Sequence, residues 1–198
     1  MHNPSTGPDI ASDTDSVANG ASPPPAVSAP RVVLDSNVWI DLLVFRDPHA
    51  EPIRTALRDG AIAPLIRADC REELRRVLAY PQFARFEVDI DEALATVDRL
   101  TTAVAPPCPT QAEAIRLPRC RDGDDQKFIE LAHFAGADCL VSKDKAVLKL
   151  AGRLRRSSGV AVLTPQAFAP WLAARPGALE SPALVAPPVA ASISLPSD

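Results

Sequence analysis

Four stretches of this chain place carboxylates where metal-assisted chemistry can use them. Asp35-Ser36-Asn37 follows the apolar run Val32-Val33-Leu34, and Glu73 lies in the helical pattern Glu72-Glu73-Leu74-Arg75-Arg76-Val77-Leu78. Asp122-Gly123-Asp124-Asp125 opens another helical run, and Asp144 comes shortly after Cys139-Leu140-Val141. Carboxylate oxygens are the ligands of hard divalent ions such as Mg²⁺ and Mn²⁺. A group of them at strand ends suits metal-assisted chemistry on phosphate esters. Each acid also has a plainer reading. Asp35 and Asp144 can cap the helices that follow them, and Glu73 can be a solvated helix charge like its neighbour Glu72. Glu73 immediately precedes apolar Leu74, which puts it nearer the buried edge. Asp124 is the better helix cap. Asp125 then falls inside the first turn, three residues before Phe128, and faces the site. Asp122 and Asp124 remain as ligands or supports, and Ser142 reads as a turn residue.

The elements that must position these acids alternate. Arg31–Leu34 reads as a short buried strand with β-branched residues, followed by a short helix over residues 38–44 and another over 52–58 that Gly60 stops. Residues 61–66 make a strand, Ala68–Leu78 a helix with Leu74, Val77 and Leu78 on one face, and 91–100 a further helix. Residues 101–105 are extended and run into Pro106-Pro107. Loop follows, with a weak helical turn near 111–115. A strong helix runs from Asp124 or Asp125 through Phe134, with Phe128, Ile129, Leu131 and Ala132 facing a core, and Gly136 ends it. Cys139–Val141 is a strand, residues 144–150 lead through a helix, 160–163 form the last strand, and Thr164-Pro165 starts a helix through Leu172. This order predicts an α/β fold with a parallel sheet covered by helices on both faces. In such a fold, sites form outside the carboxyl ends of the strands. Asp35 and Asp144 both fall there.

At these residues the chain resembles a known family. Leu34-Asp35-Ser36-Asn37-Val38-Trp39, the Glu73 helix, Asp124-Asp125-Gln126-Lys127-Phe128 and Leu140-Val141-Ser142-Lys143-Asp144 look like the PIN domain. More narrowly, they look like the bacterial PIN group assigned as toxins of toxin–antitoxin pairs. The resemblance covers roughly residues 31–172. It implies a three-layer α/β/α domain and a Mg²⁺- or Mn²⁺-dependent ribonuclease, with RNA as substrate, a small antitoxin as partner and a homodimer as a plausible assembly. Asp35 matches the family's first acidic position, Glu73 the second, Asp125 the third and Asp144 the fourth, and Asn37 matches the polar residue that supports the first. The family pattern often has Gly before the fourth acid. Here Lys143 stands there, a cation beside the site that can contact phosphate or weaken metal binding.

Composition sets the frame. The 198 residues suit one domain plus tails, expected as 31–175 between disordered segments 1–30 and 176–198, both rich in Pro, Ser and Ala. The formal charge of −4 is carried by those segments: Asp9, Asp13, Asp15, Glu180 and Asp198 lie in them and no Lys or Arg does, which leaves +1 for residues 31–175. A near-neutral domain holding an acidic cluster is basic elsewhere, and this is compatible with a nucleic-acid partner. Lys143, Lys145, Lys149, Arg153, Arg155 and Arg156 form the densest basic stretch. Arg71, Arg75 and Arg76 flank Glu73, and Arg119, Arg121 and Lys127 flank Asp125. Lys143, Lys145, Arg76 and Lys127 are the candidate substrate contacts, against the alternative of a solvated, salt-bridged surface. Aromatic residues are only 5% of the chain, so base stacking is not expected to dominate recognition.

Other classes are disfavoured. The four cysteines are far apart and form no CxxC pair, so free buried thiols are a better reading than zinc. His49 and His133 show no Ser or Cys partner pattern. No Gly-rich phosphate loop points to an NTPase. An aspartyl-phosphate enzyme usually needs a second Asp close after Asp35, and Asn37 stands there. A non-catalytic module binding RNA or a protein remains the main alternative. No basic leader and no apolar stretch of bilayer-spanning length is present, so a cytoplasmic protein is expected and no membrane.

Overall fold

The computed structural model describes residues 28–108 and 117–175. Five strands form one parallel sheet: β1 (Arg31–Leu34), β2 (Ala63–Ile66), β3 (Thr102–Ala103), β4 (Cys139–Val141) and β5 (Ala161–Leu163), in the order β3-β2-β1-β4-β5. Helices flank it in the three-layer α/β/α arrangement. They are α1 (Ser36–Ile40), α2 (Glu51–Arg58), α3 (Ala68–Leu78), α4 (Ile90–Leu100), α5 (Gln126–Phe134), α6 (Lys145–Leu148), α7 (Ala151–Ser158) and α8 (Pro165–Ala173). The central strands are buried on both faces, which is why they read as unbroken apolar runs: Val32, Val33, Cys139, Leu140 and Val141 are all fully buried.

Packing follows the apolar stripes. α3 buries Cys70, Leu74 and Leu78 at four-residue spacing and packs against α1, α4 and α5. α5 buries Phe128, Ile129, Leu131 and Ala132 over β1 and β4. Gly136 ends α5 with φ +59°, where the Ala137 N–H reaches the Ala132 carbonyl at 2.8 Å and turns the chain directly into β4. Thr164 caps α8 by accepting the Ala167 N–H, with Pro165 in the first turn.

Four local expectations change. The helix expected over 38–44 is α1 followed by a π-helical stretch, Asp41–Phe45, which Arg46 closes in the left-handed region at φ 48°. The wider π register coincides with buried Asp41, whose carboxylate takes the Lys143 ammonium. The helix after Asp144 ends at Leu148, and a second one, α7, follows. The reading missed α7 because it buries only Leu154 along its length and carries Gly152. The extended stretch after α4 is the edge strand β3, and a 3₁₀ turn, Pro81–Phe86, was not foreseen. The helical turn expected near 111–115 lies outside the described residues, as do nearly all of 1–30 and the whole of 176–198.

Candidate active site

Strand order decides where the acids meet. β1 is followed in space by β2 and β3 on one side and by β4 and β5 on the other, so the winding reverses between β1 and β4. A crevice opens outside the carboxyl ends of the strands at such a reversal. The register Leu34↔Val141 puts the residues just past the two strands side by side. The Asp35 N–H still bonds to the Val141 carbonyl at 3.0 Å, extending the ladder by one residue.

Asp35 is 3% exposed, and one of its oxygens is held twice: Asn37 Nδ2 donates to Oδ2 at 2.7 Å and Ser142 Oγ at 2.5 Å. Burial pushes its carboxyl above the ordinary range. The hydrogen bonds from Ser142 and Asn37 pull the other way, and negative Glu73 adds to the rise. Asn37 thus hydrogen-bonds Asp35, and its Oδ1 accepts the Lys143 N–H at 3.1 Å, which ties the loop after β4 to α1. Ser142 is fully buried and does more than shape a turn. Its hydroxyl donates to Asp35 and accepts the Asp144 N–H at 2.9 Å. Its spacing, a Ser two residues before a capping Asp at a strand end, was the signal for this local bonding. Ser36 Oγ, beside Asp35 in sequence, is buried with no hydrogen-bond partner among the described residues.

Asp144 takes the capping role and also lies near the other acids. Its Oδ1 caps α6, accepting the Ala146 and Val147 N–H groups at 2.6 and 3.2 Å, and its charge reaches Asp125. The ordering of the third stretch is corrected. Asp125, not Asp124, is the residue before α5, and its side chain makes no capping bond. The turn explains this: Asp122 Oδ1 accepts the Asp124 N–H at 3.0 Å, which leaves Asp122 and Asp124 exposed and sets Asp125 at the helix start with its carboxylate uncommitted. Burial, and then the charges of Asp35, Asp144, Asp122 and Glu73, push the Asp125 carboxyl up to about 7. One side chain therefore feels every acid singled out in the sequence except Asp124.

The cations separate. Lys127 is the one drawn into the cluster: its ammonium pairs with Glu73 Oε2, both side chains mostly buried at 17% and 12% exposed. Lys143 turns away, its Nζ 2.6 Å from the Asp41 carboxylate, so the residue standing where the family often has Gly is neutralised by a partner the sequence did not suggest. Lys145 lines a cleft of about 710 Å³ that also contains Asp122 and Asp144. Arg76 is exposed on α3 and lines no part of that cleft. Arg119, Arg121, Lys149 and Arg153 do line it, and only folding brings their two segments together.

Among the described residues, no three Asp, Glu, His or Cys side chains stand in an arrangement that could hold a metal ion as they are placed. The reason is visible in their partners: Asp35 Oδ2, Asp144 Oδ1 and Glu73 Oε2 are each turned to a protein group. The donor set itself, all carboxylate and short of counter-charge, has the chemistry of a hard divalent site. Cys70 and Cys139 are free and buried, and burial pushes Cys70 up to about 12. Cys120 is half-buried, its thiol raised by burial and by Asp125 and Asp144. His133 does have a serine partner, Ser158 Oγ at 2.8 Å, which links α5 to α7.

No curated protein matches the chain. Residues 31–146 match the family model described as the PIN domain. With that match spanning more than half of the chain, over an all-parallel sheet that gathers the acids at its carboxyl edge, the protein belongs to the PIN-domain family.

Proposed function

We propose that the protein is a divalent-metal-dependent endoribonuclease, hydrolysing RNA phosphodiester bonds, and the toxin of a toxin–antitoxin pair whose small antitoxin restrains it in the cytoplasm. The observation that carries the catalytic part is Asp125, whose carboxyl is raised to about 7 by burial first and then by the charges of Asp35, Asp144, Asp122 and Glu73 gathered around it. Carboxylates crowded in this way repel one another and call for a cation between them. Asp35, Glu73, Asp125 and Asp144 would hold Mg²⁺ or Mn²⁺. When bound, the ion supplies an activated water and stabilises charge on the scissile phosphate. The chain's own groups do the positioning. Ser142 and Asn37 hold Asp35, the α6 N–H groups hold Asp144, and Lys127 pairs with Glu73 at the edge of the cluster. The functional unit on this reading is 31–175.

A second reading, a PIN module that binds RNA or protein without cutting, is favoured by one observation. Lys127 already neutralises Glu73, and no three acids converge on a point among the described residues. Incubating the full chain and its Asp125→Asn variant with a generic structured RNA, with Mn²⁺ and with EDTA, separates the two. Cleavage that disappears with EDTA and with the substitution supports the nuclease. Cleavage that survives both places the chemistry elsewhere. Absence of cleavage, together with no calorimetric Mn²⁺ binding, favours the binding module. None of the described helices is long and apolar enough to cross a membrane.

A further inference from the structure

The loop from β4 to α6 consists of Ser142, Lys143 and Asp144, and the helix it enters buries only Val147. So short a stretch has little packing of its own to fix it. Ser142 and Lys143 are nevertheless bound at three points to the segment that follows β1. The Ser142 hydroxyl donates to Asp35, and the Lys143 N–H donates to Asn37 Oδ1 at 3.1 Å. The Lys143 ammonium lies 2.6 Å from each oxygen of Asp41. Asn37 and Asp41 are one helical turn apart, with the Asp41 N–H on the Asn37 carbonyl, so they share a face and grip Lys143 by its backbone and by its tip. The two ends of the ion pair differ. Asp41 is 2% exposed, and no other cation pairs with it among the described residues. The Lys143 side chain is 42% exposed. Lysine can turn its charge to water; the carboxylate has only lysine.

We propose that Asp41 and Lys143 form a latch that positions Asp144. Lifting the loop from α1 strips a buried carboxylate of its counter-charge, and that cost holds the loop down. Lys143 is then a positioning residue rather than a phosphate contact. A chain of bonds runs from the latch to the acids. The Ser142 N–H donates to the Leu163 carbonyl at 2.9 Å, so the sheet fixes the front of the loop and the latch fixes its middle. With both held, Ser142 Oγ stays between Asp35 and the Asp144 N–H, and Asp144 Oδ1 stays on the Ala146 and Val147 N–H groups. The helix after β1 also changes register at this residue, since its π-helical stretch opens on Asp41. Such local departures recur at functional sites. What Asp144 is positioned for rests on the metal-nuclease reading; the latch itself does not.

Amide hydrogen exchange of the full chain in EDTA, followed by NMR, tests the latch without a metal. The amides to watch are Asp144, Ala146 and Val147, whose bonds end on Ser142 Oγ and Asp144 Oδ1. Lys143→Met and Asp41→Asn should each speed them about tenfold or more, the fold-change that loss of one charge-assisted bond corresponds to. Lys143→Arg should keep them near the wild-type rate. Lys143→Met leaves a buried charge unpaired and should lower the melting temperature. Asp41→Asn leaves none, because the Lys143 ammonium can turn to water, and should melt within about 3 °C of wild type. The double variant should regain the stability and keep the fast amides, which a pair serving stability alone would not do. The proposal is overturned by loop amides at the wild-type rate in Asp41→Asn, by core amides of α5 accelerated by the same factor, or by Lys143→Arg exchanging as fast as Lys143→Met. Calorimetry with Mn²⁺ is read separately. If the wild type binds the ion, Asp41→Asn should bind it roughly tenfold more weakly, and unchanged affinity overturns the positioning role. A wild type that binds no Mn²⁺ counts against the nuclease reading, and the exchange rates then decide the latch.

Discussion

Replacing Asp125 by Asn should make the metal-free protein more stable, although it removes a residue assigned to the active site. The substitution keeps the shape of the side chain and deletes one charge from a group of carboxylates. Asp125 titrates at about 7, against 3.8 for an isolated Asp, because of burial and of the charges on Asp35, Asp144, Asp122 and Glu73. At about 1.36 kcal/mol per unit, that rise sets a ceiling near 4 kcal/mol for the penalty of ionising it. Asp125 is only half-buried, and solvent screening brings the usable figure to about 1–2 kcal/mol. The sign follows from proton binding. As pH rises from 3.8 toward 7 the unfolded chain gives up this proton before the folded one does, so the folded state loses stability across that window, and above it the loss is complete. Thermal melts in EDTA at about pH 8 should therefore show the Asp125→Asn chain melting some 3–6 °C above wild type. At about pH 5, where Asp125 is protonated in the folded protein but mostly ionised in the unfolded one, roughly a third of that difference should remain, and the two should nearly coincide only at about pH 3.5. Adding Mn²⁺ should raise the wild-type melt more than that of the variant. A variant less stable than wild type at the higher pH would refute the reasoning. It would mean that Asp125 makes a favourable contact and that the acids are not crowded.

Three further outcomes are expected. Lys127→Met removes the ammonium that neutralises Glu73. The metal-free protein should lose about 1–3 kcal/mol, while calorimetry should show Mn²⁺ binding several-fold tighter, since a competing cation is gone; unchanged affinity would show that Lys127 lies outside the site. Asp144→Asn separates capping from charge, because Asn caps as well as Asp. Stability should stay within about 0.5 kcal/mol of wild type while Mn²⁺ affinity falls, and a large drop in stability would mean that the cap needs the charge. Ser142→Ala takes a hydrogen bond from buried Asp35 and an acceptor from the Asp144 N–H, and denaturant unfolding should show a loss of about 2–3 kcal/mol. That loss should be larger at a pH where Asp35 is ionised than where it is protonated, because the Ser142 bond favours the ionised form. A loss below about 0.5 kcal/mol would deny the hydroxyl its bridging role.

The elements legible in the chain were those whose residues carry their own periodicity or punctuation. The buried strands β1 and β4 are apolar on both faces, α3 and α5 show apolar residues at helical spacing, and Gly136 and Thr164-Pro165 mark boundaries that hold in the structure. The parallel architecture followed from their alternation. Where local pattern was weak the reading failed. α7 buries one side chain, the stretch after α1 takes a π register around a buried acid, and the start of α5 depends on a turn that Asp122 closes with its own side chain.

The candidate site divides in the same way. Residue type and position were enough to single out Asp35, Glu73, Asp125 and Asp144, because an acid just past a buried strand, or at the start or on the edge of a helix, is visible along the chain. Which acid is held by which partner was not visible. Ser142 bridging Asp35 to Asp144, Lys127 on Glu73, and Lys143 turned aside to Asp41 join residues up to 107 positions apart. The cleft that collects Arg119, Arg121, Lys145, Lys149 and Arg153 likewise exists only because β4 lies beside β1 and carries the segment after it to the mouth of the crevice. The sequence by itself determined which acids stand past which strands and helix starts. Tertiary structure decided the pairing of charges, since electrostatic and hydrogen-bonding partners are set by distance through space, and that distance is fixed only when the sheet closes its register.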